Sequence, residues 1–202
     1  MHKIKDISED EMIAVFLKGE INSRRFGSSI TDYLQKYNIG RRIIDQPNFL
    51  DLVENNFRRS VIAEYRGYGI NKKLFENFPS NVKWQRAFLT KHDLEKVKYI
   101  NYDYWVELSS GLRLPIDAAE NIKKGLEVFN KKNEQYLNAA EFFKAGNLLP
   151  EMIFVGRDDQ SYLVVLEGHL RITAYMLALE FVPDKLEVIV GYSPKIVTWD
   201  MY

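Results

Sequence analysis

The stretch YLVVLEGHLRITAYMLALEFVPDKLEVIV, residues 162–190, decides the fold class, because strand, turn and helix signals follow one another there without a gap. Residues 162–166 are apolar and rich in β-branched side chains between polar flanks, the pattern of a buried strand. From Leu170 the period changes: Leu170, Ala174, Leu177 and Ala178 recur at three- and four-residue spacing. That predicts a helix over 170–180, which must end before Pro183. Residues 186–190 form a second apolar strand. Strand, tight turn, helix and strand read together as a βαβ unit, which implies a parallel strand pair joined by a right-handed crossover.

Glu167, Gly168 and His169 fill the turn where the helix's unpaired N–H groups point outward. Gly168 permits unusual dihedrals and close backbone approach, and the helix dipole favours phosphate or carboxylate at that end. Arg171 lies in the first helical turn, and its fork of donors suits phosphate oxygens. A cation there opposes the dipole by a few tenths of a kcal/mol, so a neighbouring anion explains Arg171 better than helix stability does. One such anion is Glu167, four residues back, with His169 capping the helix. A bound phosphate is the other.

Outward from this stretch, 158–160 read as a hairpin turn between a strand over 152–155 and the one over 162–166. A helix over 138–144 stops at Gly146. Pro115 starts another, through Ala118, Ala119, Ile122 and Leu126. Residues 82–89 and 99–108 read as strands, with a short helix capped by Thr90 between them. Beyond Gly191 and Pro194, residues 195–199 read as a last strand.

The first 80 residues read as mostly helical. Ser8 and Glu11 form a capping box for a helix ending before Gly19; a second runs from Ser28 or Ser29 toward Gly40; a third starts at Pro47 and carries Leu50, Val53, Phe57 and Val61. The expected organisation is a helical N-terminal subdomain over 1–80 and an α+β domain over 81–202. Three arginine pairs, Arg24–Arg25, Arg41–Arg42 and Arg58–Arg59, punctuate the helical part. They are either a solvated face with local ion pairs or one patch for phosphate or nucleic acid.

Lys+Arg and Asp+Glu both number 28, so there is no global positive field of the kind that non-specific nucleic-acid binders use. Cysteine is absent, which excludes disulfides, thiolate zinc sites and a cysteine nucleophile. No apolar run approaches the roughly 18 residues of a membrane span and the start lacks a signal-peptide pattern, so a cytoplasmic protein is expected.

Residues 138–190 resemble the ParB/sulfiredoxin superfamily, whose members carry a Gly-x-x-Arg turn between a strand and a helix. In partition ParB proteins the turn reads Gly-Glu-Arg-Arg and grips a nucleotide triphosphate, in sulfiredoxins Gly-Cys-His-Arg, and in ADP-dependent free serine kinases Asp-Gly-His-His-Arg. Gly168 and Arg171 match all three, and Glu167 and His169 look like the kinase's acid and first histidine. Leu170 departs from each pattern and removes a polar contact those relatives use. The resemblance implies a ParB/sulfiredoxin-like βαβ core that binds the phosphates of ATP, ADP or CTP, with Mg2+, through Gly168, His169 and Arg171. Arg113 stands where partition ParB proteins carry an upstream arginine at the nucleotide. As a phosphotransferase or NTPase, such a domain would use a carboxylate base, and Glu167 is the candidate. The alternatives are a nucleic-acid-associated ParB-like module, such as a nuclease or a mobile-element or defence partner, and an adaptor that kept the fold without the ligand. Without a cysteine in the turn, sulfiredoxin chemistry is excluded.

Overall fold

The apolar runs read as strands are covered on both faces. A computed structural model of residues 1–202 shows one five-stranded sheet in the order β1-β2-β5-β3-β4. Its strands are β1 (His2–Asp6), β2 (Lys83–Leu89), β3 (Ile153–Gly156), β4 (Val164–Glu167) and β5 (Leu186–Tyr192). Alternate residues of β3, β4 and β5 point to opposite sides. Phe154, Val165, Val188 and Val190 enter one core, and Ile153, Val155, Val164, Leu166 and Ile189 enter the other. Strands buried on both sides need no polar alternation, which is why they read as continuous apolar runs.

The second of these cores is closed by α1 (Glu9–Glu20), α2 (Gly27–Lys36), α3 (Arg42–Asp45) and α4 (Leu52–Arg66). The first is closed by α5 (Lys91–Leu94), α6 (Asp103–Leu108), α7 (Pro115–Lys123), α8 (Glu134–Lys144) and α9 (His169–Leu177). The class is therefore mixed α+β. The N-terminal 80 residues are largely helical, as expected, and they also supply the edge strand β1, paired antiparallel with β2.

The predicted βαβ unit does not form as such. β4 and β5 are separated by β3, which is antiparallel to β4 and parallel to β5. β4 and β5 consequently run in opposite directions, and the parallel pair is β3 with β5. The turn at 158–161 joins β3 and β4 as an antiparallel hairpin, so the crossover to β5 leaves from the hairpin rather than from one strand.

Four local expectations change. Residues 99–108 are not a strand: α6 occupies Asp103–Leu108, and the aromatics broke alternation because Tyr104 and Leu108 share a helical face toward the core. The segment after Pro194 is a 3-10 helix, Pro194–Thr198, with the Ser193 hydroxyl accepting from the Lys195 N–H. α4 starts at Leu52 rather than Pro47, because the Asp51 carboxylate accepts the N–H groups of Val53 and Glu54. Leu50, before the helix, and Val53, within it, face solvent, and Val61 and Ile62 carry the burial. The Ser8–Glu11 capping box is present, but α1 continues through Gly19 to Glu20. That extension positions the site.

Candidate functional site

β4 ends in Glu167, and Gly168 turns the chain into α9 with φ of +110°. A Cβ at Gly168 would lie 2.7 Å from Met152 Cγ, so both conformation and space demand glycine. The first N–H groups of α9 have no partner inside the helix.

The anion that Arg171 requires is Glu167 itself. Arg171 and Glu167 form an ion pair across the helix start, and Arg171 also donates to the Glu151 carbonyl. Glu167 Oε2 accepts the Gly168 N–H at 2.7 Å. With 6% and 9% of their surfaces exposed, both residues lie inside the fold. Arg171 therefore braces the turn from beneath.

His169 does not cap the helix. Its imidazole stacks on Trp105 at 5.0 Å, with the Tyr99 ring 6.0 Å away and nearly parallel to it. The residue keeps some exposure, but Nε2 is sealed from solvent without a partner. Burial first, then the charges of Arg66, Arg171 and Arg25, lower its pKa to about 3, so the ring is neutral at physiological pH.

Beside the turn, the C-terminal end of α1 closes in. A Cβ on Gly19 would stand 2.8 Å from Glu167 Oε1 and 3.0 Å from Arg171 Nη2, so this glycine in the last turn lets α1 lie directly on the ion pair. The next residue, Glu20, is 5% exposed. Its Oε1 is 3.8 Å from Arg66 Nη2, and its Oε2 accepts the Ser23 hydroxyl at 3.2 Å. Burial and the nearby Glu167 raise its pKa to about 7, against the opposing pull of Arg66, Ser23 and Arg171. Arg66 lies 4.4 Å from the Phe26 ring centroid, and Arg25 lies 4.8 Å from the same ring. Tyr65 stands beside Glu20, and burial together with that carboxylate keeps its phenol protonated.

Three buried polar atoms of this cluster have no hydrogen-bond partner: Tyr65 Oη, Arg66 Nε and His169 Nε2. Comparison with family models, curated proteins and solved structures gave no match. The reading of the site rests on its own chemistry.

The structure thus brings Glu167, Gly168, His169 and Arg171 to one place but leaves Arg113 elsewhere. Arg113 sits at φ of +60°, and its guanidinium donates to the Tyr202 carbonyl at 2.6 Å. Its other neighbour, Tyr162, precedes β4 at the end opposite the turn. Two of the three arginine pairs are engaged elsewhere in the fold, Arg42 and Arg58 both meeting Glu54. Arg41 pairs with Asp45, Arg42 with Glu54 and Arg59 with Asp10, while Arg58 is buried against the Ile43 carbonyl and Asn55. Only Arg24 and Arg25 are exposed with no acidic partner, and Arg25 is the one whose charge reaches His169.

Sequence reading missed Glu20, Ser23, Tyr65 and Arg66. The available signal was the polar run GEINSRR, residues 19–25, directly after an apolar helix face. No helix of the chain is long and apolar enough to cross a membrane.

Proposed function

We propose that the β4–α9 turn and the α1–α2 connection form a binding site for the phosphates of a nucleotide, ATP, ADP or CTP, as in a ParB/sulfiredoxin-like domain. The observation that carries this reading is a set of three buried, unpartnered polar atoms, Tyr65 Oη, Arg66 Nε and His169 Nε2, on residues whose charges are felt at Glu20 or at the β4–α9 turn. Buried polar atoms are rarely left unpaired, and two of these three are donors of the kind that phosphate oxygens accept. The free N–H groups of α9 and the unpaired Arg25 add positive potential on the same side.

In this reading Gly168 and His169 line the phosphates, Arg171 holds the turn in shape through Glu167, and Arg113 plays no part. Glu20 and Glu167 are the carboxylates within reach. Glu167 is committed to Arg171 and the Gly168 N–H, so Glu20 is the better base for phosphotransfer or hydrolysis. Mg2+, if used, would offset phosphate charge and be met by these carboxylates. Arg41, Arg42, Arg58 and Arg59 are engaged with acids or backbone carbonyls, which leaves the nucleic-acid alternative only Arg24 and Arg25 free among the paired arginines.

Calorimetric titration of the purified chain with ATP, ADP and CTP, each with and without magnesium, tests the proposal. Binding of at least one is expected, and Arg25→Ala should weaken it about ten- to a hundredfold, the loss of one charge-assisted contact of roughly 1.5–3 kcal/mol. No binding of any of the three at millimolar concentration would overturn it.

A further inference from the structure

We propose that Ser23 is a phosphoryl-acceptor hydroxyl and Glu20 the base that takes its proton, so that the chain modifies itself from a nucleoside triphosphate; this rests on the phosphate-binding reading above. Three features of the α1–α2 connection lead there. The Ser23 hydroxyl donates to Glu20 Oε2 at 3.2 Å, and Glu20 is held from its other oxygen by Arg66 at 3.8 Å. A nucleophile on a base that a third group orients is the arrangement that activates serine elsewhere in enzymes. Ser23 Oγ also accepts the Phe26 N–H at 3.0 Å, which fixes its rotamer and leaves one lone pair free to attack.

The connection lies against the phosphate turn. Gly19 touches the Glu167–Arg171 pair, and the charge of Arg25 is felt at His169. The product would also be stabilised where it forms. Arg24 and Arg25 follow Ser23 directly with no acid of their own, and α2 begins at Gly27, whose N–H already donates to the Ser23 carbonyl. A phosphoserine preceding a helix and followed by two arginines gains charge-assisted bonds and a favourable dipole.

In the step, Ser23 Oγ bonds to the terminal phosphorus as the bond from that phosphorus to its bridging oxygen breaks. The hydroxyl proton passes to the Glu20 carboxylate, and the bridging oxygen leaves with its electron pair on the nucleoside diphosphate. The proton affinity of Glu20, matched to neutral pH by burial, suits that transfer.

Ser23 also anchors the turn into α2, so loss of stability in a variant would not be diagnostic; the position of the phosphoryl group is. Phosphatase-treated full-length chain would be incubated with ATP or CTP labelled on the terminal phosphate, then digested and mapped by mass spectrometry, with binding measured in parallel by calorimetry. The expected result is label on the peptide carrying Ser23, retained in Ser23→Thr, absent in Ser23→Ala and formed roughly a hundredfold more slowly or worse in Glu20→Gln. Nucleotide bound without label, or label persisting in Ser23→Ala, overturns the Ser23 assignment and leaves the binding site standing. Absence of nucleotide binding in the parent overturns both.

Discussion

Arg171→Ala is the perturbation whose outcome the structure most changes. Read from the helix alone, the substitution removes a cation from the first turn and relieves about 0.3–1 kcal/mol of dipole repulsion. In the fold, the Arg171 side chain is 8% exposed and its partner Glu167 12%. Deleting the guanidinium leaves a buried carboxylate without its countercharge, next to Glu20, and removes a donor from the Glu151 carbonyl. Breaking one side of such a pair costs about 3–5 kcal/mol, which exceeds the dipole relief severalfold. At roughly 2–4 °C per kcal/mol for a chain of this size, the melting temperature should fall by about 6–20 °C. Thermal melts and urea midpoints of the single variant would measure this. The double variant Glu167→Leu/Arg171→Met, which replaces the pair by apolar volume, should recover most of the loss. A single variant within about 1 kcal/mol of the parent, or a double variant no better than the single, would refute the claim that this pair is buried and mutually dependent.

Gly19→Ala should destabilise despite a helix-propensity gain of up to about 1 kcal/mol, because the new methyl would meet Glu167 Oε1 at 2.8 Å and Arg171 Nη2 at 3.0 Å; a rise in urea midpoint would contradict the packing. Glu20 has a pKa raised from 4.5 to about 7, so between those values the folded state holds a proton that the unfolded state has released, and stability falls as pH rises through the window. Glu20→Gln should therefore gain up to about 3 kcal/mol over the parent at pH 8 and almost nothing at pH 4, read from urea midpoints at both. His169 has the opposite sign. Its pKa is lowered from 6.5 to about 3, so stability present above 6.5 is lost as pH falls toward 3. His169→Phe should gain on the parent at pH 4 relative to pH 8, and an equal difference at both would show that the ring is not held neutral.

Much of the site was legible because its signals are local. Gly168 at a strand-to-helix turn, an acid before it and an arginine three residues after it lie within five residues, and their proximity follows from chain geometry alone. The Ser8 capping box, the Thr90 cap and the Pro115 helix start were legible for the same reason. The 99–108 segment was misread because half-buried aromatics fit a strand face or a helix face equally well until the packing partner is known.

The sequence by itself determined the α+β class, the buried strands and the residues that gather at the β4–α9 turn, since periodicity and turn chemistry act over a few bonds. Tertiary structure alone decided the strand order and the partners of the turn. A strand–helix–strand pattern carries no information about a third strand inserted between its two strands, and so β3 lies where a direct parallel contact of β4 with β5 was expected. Glu20 and Arg66 are separated from Glu167 by 147 and 101 residues. They meet it because α1, α4 and the sheet bury one shared apolar core, and in that desolvated setting Arg171 becomes the partner of a carboxylate inside the fold.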